Sequence, residues 1–201
     1  KFILTAALVS AAMASHAVTN PNLIKNGDFE SYTGGPFSGY ANVLIGSTAI
    51  SGWTVTGTSV DVIQGAYGAI DSISIDMLGT PGPGTLSQSF DSVIGQNYLV
   101  SFDLGANNSQ LDDGALSVSF GSSPVHTFSG TPTVTRYSFN VQADSASTLL
   151  SFASRNISAN GGPVLDNVSV TAVPEPETYA MLLAGLGLMG TIARRRNKKQ
   201  A

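Results

Sequence analysis

The stretch Leu116-Ser117-Val118-Ser119-Phe120 places an apolar side chain at every second position with a serine between. A β-strand turns successive side chains to opposite faces, so this pattern buries one face and leaves the other in water. Ser72-Ile73-Ser74-Ile75-Asp76-Met77 repeats the alternation, and residues 98–104, 136–141, 149–153 and 164–170 add further β-type runs. Between them, Pro81-Gly82-Pro83-Gly84, residues 106–114 and Asn160-Gly161-Gly162 have the composition of turns and loops. No helical periodicity occurs outside the two ends, and no internal repeat is present. Many short strands with turn signals between them predict an all-β fold, an antiparallel β-sandwich.

The ends read differently. Behind Lys1, residues 2–13 form a short apolar segment, and Ala12-Met13-Ala14 and Ser15-His16-Ala17 both fit the small-x-small rule for signal peptidase, with cleavage favoured after Ala17. A signal peptide over residues 1–17 is therefore predicted. At the other end, Pro174-Glu175-Pro176 precedes an uncharged run, residues 178–193, and a basic tail, residues 194–199, that opens with Arg194, Arg195 and Arg196. Leu182, Leu183, Leu186, Leu188 and Met189 surround a helix axis and leave no polar face. This order predicts one transmembrane helix at about 178–193, its basic end on the cytoplasmic side. At 1.5 Å per residue that run covers roughly 24 Å, short for a hydrocarbon core of about 30 Å, so Tyr179 and the arginines would complete it by snorkelling. Gly185, Gly187 and Gly190 spell G-x-G-x-x-G, but no preceding strand accompanies them, so no dinucleotide site follows. Residues 18–172 remain as one β-sandwich domain, and residues 173–201 form the sorting tail.

The overall formal charge of −4 hides a division. Residues 18–172 hold three basic side chains, Lys25, Arg136 and Arg155, against eleven acidic ones, a net of −8. Such a body does not seek nucleic acid. The chain has no cysteine, which excludes a disulfide frame, a thiolate metal site and a cysteine nucleophile. The body must stand on core burial, helped by any ion it binds.

Pro174-Glu175-Pro176, the apolar run and the basic tail together resemble a PEP-CTERM sorting signal. The resemblance implies recognition by an exosortase, a membrane-embedded cysteine transpeptidase, in a Gram-negative bacterium that makes extracellular polysaccharide. It implies export through the inner membrane, transient anchoring by the carboxyl-terminal helix, and transfer to the cell surface or extracellular matrix. The body carries a second resemblance on Asn26-Gly27-Asp28-Phe29-Glu30, Gly52-Trp53-Thr54-Val55, Leu86-Ser87-Gln88-Ser89-Phe90 and the closing Leu165-Asp166-Asn167-Val168. These are similar to the choice-of-anchor C exported proteins and to a galactose-binding-like jelly roll of the carbohydrate-binding-module kind. That resemblance implies a structural calcium ion joining the first and last strands, held by Glu30 and Asp166 with Asp71 or the Asp76 region contributing. Calcium takes six to eight oxygen ligands, and Asp76 would offer its carbonyl if alternation turned its side chain away.

Sugars dock on aromatic faces, with polar groups fixing their hydroxyls. Tyr32, Phe37, Tyr40 and Tyr67 lie in loop-like, glycine-rich sequence and are the candidates to face such a ligand. Asn107, Asn108, Gln110, Asp112 and Asp113 form a polar loop able to bond hydroxyls, or a solvated turn. Trp53, at the start of a strand, is expected in the core. His126 is the one histidine beyond residue 17, and no Gly-x-Ser-x-Gly elbow is present, so a Ser-His-Asp centre has little support. The expectation is a non-catalytic exported protein of the surface or matrix that associates with exopolysaccharide. The alternatives are a structural or adhesion protein that binds no sugar, and a hydrolase.

Overall fold

In the computed structural model, the described residues are 20–107, 114–155, 161–174, 182–191 and 195. The alternating stretch at 116–120 lies in the strand Ala115–Phe120, where Leu116, Val118 and Phe120 are buried and the serines between them are half-exposed. In chain order the strands are β1 (Gly39–Leu44), β2 (Thr54–Gly57), β3 (Ser59–Gln64), β4 (Ser74–Asp76), β5 (Gly84–Asp91) and β6 (Asn97–Ala106). They continue with β7 (Ala115–Phe120), β8 (His126–Ser129), β9 (Thr135–Gln142), β10 (Ser147–Ser154) and β11 (Pro163–Ala172). Six strands form one sheet in the order β1-β3-β4-β11-β6-β9, and five form the other in the order β2-β5-β10-β7-β8. Every strand pair is antiparallel. The fold is the predicted β-sandwich, a jelly roll.

Aromatic rings fill the space between the sheets. Trp53 packs on Phe29 and Phe152, and Phe152 meets Phe102, which in turn meets Phe128 and Tyr137. A second group, Phe90, Tyr98 and Phe120, closes the other end. Trp53 is in the core as expected, its indole N–H donating to the Asn26 carbonyl at 2.9 Å. A buried indole needs such a partner.

The opening motif lies against the last strand. The Leu23 amide donates to the Val170 carbonyl, and the Val168 amide to the Gly27 carbonyl at 2.8 Å. A Cβ on Gly27 would stand 2.0 Å from the Val168 oxygen, so only glycine permits this approach. Asn26 and Phe29 take left-handed backbone angles, which turn the Phe29 ring fully into the core.

Strand β4 departs from the alternation read in the sequence. Only residues 74–76 pair, and Ser74 and Asp76 are buried along with Ile75. The strand lies between β3 and β11, and loops cover its outer face. The Ile70 amide donates to Ser74 Oγ, Asn107 donates to Asp76, and a Cβ on Gly162 would clash with Leu78 and Asp76.

Beyond the sandwich, residues 182–191 are helical. Ten residues span about 15 Å, half of a hydrocarbon core. Among the described residues, no helix is long and apolar enough to cross a membrane. The span expected at about 178–193 is therefore not formed within them: 178–181 and 192–193 lie outside the described residues. The signal peptide predicted for residues 1–17 lies outside them as well.

Candidate functional site

Strand register brings two adjacent acidic rows to the outer face of the six-stranded sheet. Tyr40 pairs with Ile63 and Asn42 with Asp61 across β1 and β3, and Asp61 pairs with Asp76 across β3 and β4. Asp166 pairs with Asp103 across β11 and β6, and Asp103 with Arg136 across β6 and β9. Residues two apart on a strand share a face, so Tyr40, Asn42, Asp61, Ile63, Ser74 and Asp76 all point outward. The other face carries Val43, Val60, Val62, Ile75 and Leu104 into the core.

At the β1 end of the Asp61–Asp76 row is a cavity of about 210 Å³ lined by Tyr40, Asp61, Ile63, Tyr67, Asp76, Leu78, Thr80, Asn107 and Gly161. The Tyr40 and Tyr67 rings meet edge to face, centroids 5.7 Å apart. Tyr67 holds φ of +57° in the turn after β3, a left-handed conformation that aims its ring back at Tyr40. Asp76 is 2% exposed; its Oδ1 accepts from the Leu78 amide at 2.9 Å and its Oδ2 from Asn107 Nδ2 at 2.7 Å. Asp61 accepts from Asn42 Nδ2 at 2.7 Å. Burial raises both carboxyls above the usual range, and with the Asp61 charge adding its repulsion Asp76 is pushed up to about 6.

The four residues expected at a metal divide between two places. Asp76 turns its side chain toward the cavity. Glu30, Asp71 and Asp166 gather nearer the opening motif, where Ser72 Oγ and the Ile73 amide donate to Glu30 Oε1. Asp166 is fully buried; Ser74 Oγ donates to its Oδ2 at 2.8 Å and the Asn167 amide to its Oδ1 at 2.7 Å. Burial pushes this carboxyl up to about 7, and the charges of Asp71 and Glu30 add to the rise. Among the described residues no three acidic or histidine side chains form a group able to hold a metal ion.

The four aromatic candidates divide too. Tyr40 and Tyr67 meet at the cavity, whereas Tyr32 and Phe37 pair edge to face at 5.4 Å and pack half-buried against the core. Tyr40 is on a strand and not, as its glycine-rich surroundings suggest, in a loop. Sequence reading passed over Asp61 and Asn42. The signal for Asp61 was present, since it alternates with Val60 and Val62 as an outward position does. Asn108, Gln110, Asp112 and Asp113 lie outside the described residues. His126 opens β8 and stacks on Phe139 at 4.2 Å. Of the sorting residues, Pro174 and Arg195 are exposed, while Glu175, Pro176, Arg194 and Arg196 lie outside the described residues.

A family model described as "Protein of unknown function (DUF642)" matches residues 22–171, three quarters of the chain. The chain belongs to the DUF642 family. Behind the DUF642 body, residues 172–197 match the PEP-CTERM protein-sorting motif, which marks an exported chain. Halomucin of Haloquadratum walsbyi (strain DSM 16790 / HBSQ001) is 28% identical over 175 residues, covering 83% of this chain and 2% of halomucin. The chain thus spans a very small part of the curated relative that it matches. Among solved structures, the bacteriophage CBA120 tailspike protein 4 enzymatically active domain aligns at a TM-score of 0.50 with 14% identity, over 76% of this chain and 21% of that one. A structure titled "CBM4 structure and function" aligns at 0.43 with 17% identity, over 75% of this chain and 99% of that one. At these identities the likeness concerns the fold of the DUF642 body alone.

Proposed function

We propose that this chain is an exported, non-catalytic β-sandwich that binds a saccharide unit of an extracellular polysaccharide in the cavity beside β1. The observation that carries the reading is the convergence of Tyr40 and Tyr67 with Asp61, Asp76 and Asn107 around one opening. Aromatic rings supply the C–H contact surface that a sugar uses, and the carboxylates accept from its hydroxyls. Asp76 is held as an acceptor by Leu78 and Asn107, a fixed orientation that suits positioning a hydroxyl. The cavity is smaller than the roughly 300–1,000 Å³ of pockets for drug-sized ligands, which suits one ring of a longer chain.

The sorting motif supplies the setting. An exosortase would process the tail after the apolar run has met the inner membrane of a Gram-negative host, leaving the body at the surface or in the matrix. Calcium belongs to this proposal at the Glu30, Asp71 and Asp166 end only. The donors there are hard oxygens, which suits calcium, but as placed they form no group able to hold the ion, so its binding requires Glu30, Asp71 and Asp166 to move together. Its contribution would be to stability.

Retention of the purified full-length chain on a panel of immobilised polysaccharides tests the reading. Wild type is expected to be held by at least one, and Tyr40→Ala with Tyr67→Ala to abolish retention. Equal retention of the double variant would place the sugar away from this cavity, and no retention of wild type would favour a protein-contacting matrix role. Release of reducing sugar would favour a hydrolase.

A further inference from the structure

We infer that the cavity selects a saccharide bearing a primary ammonium group, the unit of an amino-sugar polymer whose nitrogen is not acetylated. The inference rests on the saccharide reading above and adds the charge of the ligand. Asp61 and Asp76 occupy directly opposed positions on β3 and β4, which places their Cβ atoms about 4.5–5.5 Å apart on one face. Like charges directly opposed are destabilising unless a cation stands near. Asp103, on the same sheet face, has one: Arg136 Nη1 donates to its Oδ1 at 2.9 Å. No lysine, arginine or histidine is among the described residues that line the cavity. The two carboxyls are instead held by neutral donors, Asn42, Asn107 and the Leu78 amide. Burial raises the pKa of both, so the cost of keeping them ionised is one that a bound cation would offset.

The lining decides which cation. Calcium wants six to eight oxygen ligands, and the described lining of the cavity offers two carboxylates, both already held by neutral donors. Two tyrosine rings suit an organic cation, whose ammonium they attract and whose C–H surface they cover. A lysine side chain would bring the same ammonium on a slender stem. Thr80 and Asn107 add polar groups to the wall, which fit a ring carrying hydroxyls better than a methylene chain.

Calorimetric titration of the full-length chain near neutral pH with β-1,4-linked tetramers of glucosamine, N-acetylglucosamine and glucose tests this. The glucosamine tetramer is expected to bind at least about tenfold more tightly than the other two, the size of one charge-assisted hydrogen bond. Asp61→Asn should erase that preference, weakening the glucosamine tetramer at least about tenfold more than it weakens the neutral tetramers. Added salt should weaken only the glucosamine tetramer in wild type, a second readout that needs no substitution. Neutral tetramers binding as tightly as glucosamine, and still lost with Tyr40→Ala, would overturn the ammonium inference and leave the saccharide reading standing. Binding of none of the three, with no polysaccharide retained, would overturn both. Tighter binding of a tetralysine peptide than of the glucosamine tetramer would overturn the inference in favour of a protein ligand.

Discussion

Asp166 is fully buried and Asp76 nearly so, and their carboxyls stand at about 7 and about 6 against 3.8 for a free aspartate. Because the folded-state values are the higher ones, the native chain holds more protons than the unfolded chain between pH 4 and 7. The contribution of these groups is complete below pH 4 and is lost as pH rises through 6 to 7. One pKa unit corresponds to about 1.4 kcal/mol, so the two groups make the fold less stable at pH 7.5 than at pH 4.5 by a few kcal/mol. Urea denaturation at the two pH values checks this, and Asp166→Asn is expected to shrink the difference. Gly27 invites a second substitution. A methyl at its Cβ position would meet the Val168 carbonyl at 2.0 Å, and backbone cannot yield as a side chain can. Gly27→Ala is expected to cost about 2–4 kcal/mol in the same assay.

At the scale of strands, the alternating runs at 98–104, 116–120, 136–141, 149–153 and 164–170 were legible because one face of each meets the core and the other, apart from the buried Val164 and Asp166, meets water. They became β6, β7, β9, β10 and β11. Strand β1 was not legible. It is an edge strand with one fully buried side chain, Val43, so its sequence shows little periodicity, and Tyr40 read as a loop residue. Strand β4 misled in the other direction. Its alternation was real, but covering loops bury Ser74 and Asp76, and no sequence period reports a loop folding back. The candidate site was legible in part: Tyr40, Tyr67 and Asn107 were singled out from their residue types, and Asp76 only as a calcium ligand that the resemblance implied. Their convergence with Asp61 depends on the β3–β4 register. The position of Tyr40 on an exposed edge separates binding from stability. Tyr40→Ala is expected to weaken polysaccharide retention about tenfold while shifting the melting temperature by less than about 2 °C, since it removes one edge-to-face contact from the surface.

For the whole molecule, the opening motif is bonded to β11, the strand from which the chain runs on into the sorting tail. The Leu23 and Val168 bonds hold the first segment to the last strand, and the tail leaves directly from that strand. If calcium binds at Glu30, Asp71 and Asp166, it reinforces this closure. Millimolar calcium is then expected to raise the melting temperature at pH 7.5 and to flatten the pH dependence, and a chelator to reverse both. An unchanged midpoint removes the ion from the account. Fractionation of host cells tests the tail: a shorter external product is expected in wild type and an intact membrane-associated one without the exosortase.

The central claim is the place of the ligand. Chemical-shift mapping of the labelled full-length chain, titrated with the oligosaccharide that binds it best, tests that claim most directly. The shifts are expected to concentrate at Tyr40, Asp61, Tyr67, Asp76, Thr80 and Asn107. Shifts concentrated instead at His126, Phe128 and Phe139, with the cavity residues unmoved, would contradict it.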